Sequence, residues 1–103
     1  MRRAQFDILE FCHNPDYKEL AWPDDYWPGR DEEPGADQWN SAIGQFKRDL
    51  EELRRLCADE TIDLRDEISH GKGQTYLREI LLVVDHNAYH LGQFMTVRRL
   101  LGI

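Results

Sequence analysis

His86 and His90 stand four residues apart near the C-terminus, a spacing that stacks two imidazoles on one face of a helix. From that face both rings can reach a single cation at ~2.0–2.1 Å, the usual zinc–nitrogen distance. Gln93 lies one further turn along, where its amide would bond a metal-bound water or a substrate. Two histidines at this spacing equally serve as a hydrogen-bonded core pair, so the spacing leaves a metal site and a structural pair open. His70, on the turn before the helix, is a candidate third ligand; the alternative is a loop histidine that contacts the bundle. His13 closes the first helix and is expected at the surface. No Ser-His-Asp, Walker or dinucleotide-binding pattern competes for the chemistry.

The element that must position the pair is a helix opening at Thr75 as N-cap and running to about Leu101, with Gly102 as a C-cap candidate. At 100° per residue it divides into three sectors. Leu77, Ile80, Val84, Ala88, Leu91 and Met95 form an apolar face, and Arg78, Asp85, Tyr89, Gly92, Thr96 and Arg99 a solvent face. Glu79, Leu82, Val83, His86, His90, Gln93 and Val97 form a mixed third sector. With two sectors apolar, the helix must be covered on most sides, which turns His86, His90 and Gln93 inward. A buried imidazole without a partner costs a few kcal/mol, so each ring needs a hydrogen bond or a metal.

The remaining elements follow from periodicity and breakers. Ala4, Ile8, Phe11 and Cys12 recur at helical spacing until Asn14-Pro15 stops them, predicting a helix over 1–13 whose amphipathic pattern already runs at its first residue, without an N-cap. All four prolines then fall between 15 and 34, together with Trp22, Tyr26 and Trp27. These aromatics either pin an irregular loop onto the bundle or line a ligand-contacting lid. A second helix is predicted over 37–58, with Asp37 as N-cap. Its core stripe is Trp39, Ala42, Ile43, Phe46, Leu50, Leu53 and Cys57, and its charges from Lys47 to Arg55, Asp49 included, form a solvated face. Residues 59–74 connect, with a brief extended piece at Ile62-Asp63-Leu64 and a turn at Gly71 and Gly73.

A chain of 103 residues is one domain with a thin core, and a partner chain would help it. A net charge of −7 repels phosphate backbones and argues against a nucleic-acid partner. Nothing approaches the ~20-residue apolar run of a membrane span, and no signal region opens the sequence. The expected compartment is the cytoplasm, where Cys12 and Cys57, both on apolar faces, are expected as buried free thiols.

The stretch Asp85-His86-Asn87-Ala88-Tyr89-His90-Leu91-Gly92-Gln93, followed by Arg98-Arg99-Leu100-Leu101-Gly102, resembles the C-terminal helix of the DinB-like family. These bacterial four-helix-bundle proteins are related to the bacillithiol- and mycothiol-dependent transferases. Asp7 to Tyr17, the Trp-Pro-rich loop and His70-Gly71-Lys72-Gly73-Gln74-Thr75 agree with the same pattern, so the resemblance spans essentially the whole chain. It implies a divalent metal, zinc or nickel, held by three histidines with a position left open for water or substrate. Two of those ligands correspond to His86 and His90. The third belongs to a family helix lying close to where this sequence begins, so the chain matches about the last two-thirds of a DinB-like domain. A shortened gene product, a miscalled start and an excised fragment all fit that match.

The expectation is therefore an all-α, incomplete DinB-like up-down bundle of three helices, about 1–13, 37–58 and 75–101. It would act as a metal-dependent transferase or hydrolase on a small-molecule substrate, thiol-cofactor transfer being the activity the resemblance suggests. The alternative is a non-enzymatic helical module that self-associates and has lost a complete metal site. Three helices cannot cover a four-helix core, so some of Leu82, Val83, Val97 and Leu100 should stay exposed and drive dimerisation.

Overall fold

The computed structural model describes residues 1–29 and 31–103. Three helices form: α1 (Arg2–His13), α2 (Ala36–Ala58) and α3 (Tyr76–Leu100). Among the described residues the only β pairing is an isolated bridge between Glu67 and Thr75. Among the described residues no helix is long and apolar enough to cross a membrane.

The helix ends obey local chemistry. Thr75 caps α3 by accepting from the Arg78 amide at 3.2 Å. At its other end the Ile103 amide donates to the Arg98 carbonyl and the Gly102 amide to the Arg99 carbonyl, with Gly102 at φ +69°. That is the paired closing pattern in which a glycine takes the left-handed position at no steric cost. The start of α2 differs from expectation. Gly35, not Asp37, is the capping position, and the Gln38 side chain reaches back to accept from its amide at 3.0 Å. Asp37 sits inside the first turn instead, where its charge favours the helix dipole. No side chain caps α1.

α1 is the middle of the structure. Gln5 bonds the Phe46 carbonyl of α2 and the Asn87 side chain of α3. Leu9 packs with Leu53 and Val83. Cys12 packs with Leu56 and with Ile68 of the connector, next to Tyr76 and Ile80. Rising numbers along α1 meet rising numbers along α2 and falling numbers along α3. So α1 and α2 are parallel, α3 is antiparallel to both, and the succession is not strictly up-down. α2 and α3 scarcely touch each other.

A parallel pair cannot be joined by a short turn, which explains residues 14–35: the chain must travel back along α1 before α2 begins. Two tyrosines hold it there. Tyr17 and Tyr26 donate to the two oxygens of Asp7 at 2.8 and 2.6 Å, and Arg3 reaches the Asp25 carbonyl. The expected tryptophan anchors do not serve: Trp22 and Trp27 are 72% and 62% exposed.

The core stripes also sit differently from the simplest periodic reading. On α2 the buried residues are Asp49, Leu53 and Leu56, whereas Trp39 and Cys57 are exposed. The solvated charge face therefore loses Asp49, and of the two thiols only Cys12 is buried. The predicted extended piece at 62–64 lies between two turns, closed by the Ile62 amide on the Asp59 carbonyl and the Asp66 amide on the Asp63 carbonyl; the connector's pairing falls later, with the Ile68 amide donating to the Gln74 carbonyl at 2.8 Å. Gly71 lies so close to α1 that an added Cβ would stand 2.9 Å from Cζ of Phe11.

Candidate metal-binding site

α3 presents its mixed sector, not its apolar one, to α1. Glu79 and Val83 are buried there, while Leu77, Val84, Leu91 and Met95 of the uniform apolar face are exposed. In this orientation Asn87 donates to Gln5, itself bonded across to Phe46 of α2. His86 and His90, on the same side, come to rest half-buried beyond the N-terminal end of α1.

The two rings meet edge to face, with centroids 4.5 Å apart and planes at 73°. Their Nε2 atoms are 3.2 Å apart. Without a cation this is an N–H···N hydrogen bond, one imidazole donating and the other accepting. A divalent cation held here would take the Nε2 lone pairs of both rings and supply Lewis acidity. Burial, then the neighbouring His90 and the α-amino group of Met1, hold His86 below its ordinary pKa, against a smaller opposing effect of Asp85. The neutral form so favoured is the ligating form.

The other sequence candidates are placed elsewhere. His70 donates from Nε2 to the Phe11 carbonyl at 2.6 Å and lies edge-on to the Phe11 ring. Its Nε2 is thus committed, at the opposite end of α1 from the histidine pair, and the structure does not bring it to the site. Gln93 is exposed rather than turned inward, and its amide donates to the Tyr89 hydroxyl at 3.2 Å. Tyr89 in turn lies edge-on to His90, at a centroid distance of 5.4 Å. His13 is exposed. Among the described residues no group of three His, Cys, Asp or Glu side chains gathers to hold a metal. The 3.2 Å separation of the pair suits two adjacent positions of a divalent ion.

Cys12 is not a nucleophile in waiting. Burial, reinforced by Glu79 and Cys57 nearby, pushes its thiol up to about 12, far above the range in which a thiolate forms at neutral pH.

One feature went unread in the sequence, the polar seam between the helices. Gln5 is 1% exposed and Asp49 4%. Gln45 donates to Asp49 at 2.6 Å, whereas the second Asp49 oxygen and the Asn87 carbonyl oxygen are buried without a protein partner. Such groups usually find an ordered water. The signal was available: Gln5 shares helical register with Leu9 and Cys12, and Asp49 with Leu53 and Leu56.

No family model matches the chain, and neither a curated protein nor a solved structure matches it.

Proposed function

We propose that this protein is a divalent-metal-binding helical protein of the DinB-like kind, acting in the cytoplasm on a small-molecule substrate, with His86 and His90 as metal ligands. The observation that carries this reading is the 3.2 Å separation of the two Nε2 atoms, which suits two adjacent positions on zinc or nickel. The motif from Asp85 to Gln93 and the all-helical architecture support it. A bound metal supplies Lewis acidity that lowers the pKa of a water or thiol, the chemistry a thiol-cofactor transferase needs. The pair's own part is to hold and orient the ion. Gln93 and Tyr89, on the exposed side, offer an amide and a hydroxyl to an approaching substrate.

A second reading is favoured by one observation. Leu82, Phe94, Val97 and Leu100 of α3 are 41–82% exposed, which would suit a non-enzymatic, self-associating helical module without a complete metal site.

Calorimetric titration with zinc and with nickel tests the metal reading. Wild-type protein should bind weakly or below one ion per chain. His86→Ala and His90→Ala should each abolish that binding while leaving circular dichroism unchanged. Binding that survives both substitutions would overturn the assignment of these ligands.

A further inference from the structure

Four side chains of α3 at four-residue intervals, Leu82, His86, His90 and Phe94, form one ridge on the helix surface. The row reads the same from either end: apolar, imidazole, imidazole, apolar. Its centre is residue 88, which is also the midpoint of α3 (Tyr76–Leu100). Leu82 and Phe94 are 41% and 53% exposed, and the two rings between them are half-buried. α1 covers the helix at Glu79, Val83 and Asn87 and ends beside His86; beyond its end Phe94 faces an open groove shared with Met1, Trp39 and Phe46.

A two-fold axis at the level of residue 88 would superpose the row on its own complement. In such an isologous contact, residue i meets j and j meets i. Leu82 would then face Phe94 of the second copy, and His86 would face His90 of the second copy. Leu82, Tyr89, Phe94, Val97, Leu100 and Leu101, on or beside the row, are 41–82% exposed. At ~150–200 Å² per large side chain their open area is roughly 600 Å², the larger part of the ~800 Å² per partner in a standard interface. A charge of −7 on each copy opposes association, and a cation at the axis offsets part of that repulsion.

We infer that two copies of this chain pair α3 against α3, antiparallel, and share one divalent cation among four imidazoles, two from His86 and two from His90. The inference rests on the reading of these histidines as ligands and supplies further donors beyond those that the described residues of one chain gather. Four nitrogens fill a tetrahedral zinc shell and make the ion a clasp between copies, whereas a tetragonal nickel keeps axial positions open.

Sedimentation velocity of the full chain, combined with zinc titration, tests this. A dimer that takes up one zinc per two chains is expected, with dimer affinity raised at least tenfold by zinc. His90→Ala should remove the zinc dependence. Leu82→Glu, at an exposed position, should give a helical monomer whose zinc affinity falls at least tenfold although both histidines remain; Phe94→Glu should behave alike. One zinc per monomeric chain would overturn the shared site and leave His86 and His90 as ligands. No zinc uptake by wild type would overturn both readings. A Leu82→Glu protein still dimeric with unchanged stoichiometry would overturn the α3–α3 geometry.

Discussion

Nδ2 of Asn87 donates to Oε1 of Gln5 at 2.8 Å, joining side chains 82 positions apart in the sequence. The same Gln5 donates to the Phe46 carbonyl at 2.9 Å, so one amide ties all three helices and sets the rotation of α3 that carries His86 and His90. Replacing it with leucine keeps the size but leaves the Asn87 amide without its acceptor and takes a second donor from the Phe46 carbonyl. Gln5→Leu should cost about 1–3 kcal/mol, read as a lower urea midpoint, and should loosen the histidine pair. An unchanged midpoint would show that water replaces the glutamine.

Asp7 holds the returning loop through Tyr17 and Tyr26. Burial first, and the hydrogen bond to Asp7 second, push the Tyr26 hydroxyl up to about 12. A pKa raised on folding means docking that is intact below pH ~10, the free tyrosine value, and weakens as the pH climbs through 12. Phenolate absorbance should therefore rise late. Asp7→Ala should release residues 14–35 to proteolysis while the helices persist, and loop cleavage no faster than in wild type would count against the anchor.

The two thiols should separate cleanly. A maleimide should label exposed Cys57 in the native protein and reach buried Cys12 only on unfolding. Because burial raises the Cys12 pKa to about 12, the unfolded thiol ionises first. Its contribution to stability is thus complete below pH ~8.5, the free-thiol value, and declines as the pH rises from there toward 12. Native labelling of both cysteines in wild type would contradict the packing of Cys12 against Leu56 and Ile68.

The helices were legible because their signals are local: Asn14-Pro15 stops α1, Thr75 caps α3 and Gly102 closes it. Direction and rotation were not. Parallel α1 and α2 depend on where a long loop goes, and the loop's route is set by Tyr17 and Tyr26 meeting Asp7, a contact without periodicity. The apolar count on α3 called for cover on two sectors, and only the mixed one, at Glu79 and Val83, receives it, while Val84 and Leu91 stay exposed. The pairing of His86 with His90 was readable from spacing alone, since four residues on a helix fix two rings together. The fate of His70 turned on a tertiary partner, the Phe11 carbonyl 59 residues away, and that of Gln93 on how little of the far half of α3 is covered.

That α2 and α3 touch α1 but scarcely each other shapes how the chain must fold. No α2–α3 hairpin is available as a stable early intermediate, although those helices are neighbours in sequence. Core contacts such as Leu9 with Val83 join chain segments more than seventy residues apart, so a helical protein of this size carries an unusually non-local nucleus. Loop closure of that length precedes its reward, and folding should be slower than for three helices joined in simple succession. In native-state hydrogen exchange the amides of α1 and of the first half of α3 should open together as one foldon, while the C-terminal turns of α3 exchange on their own.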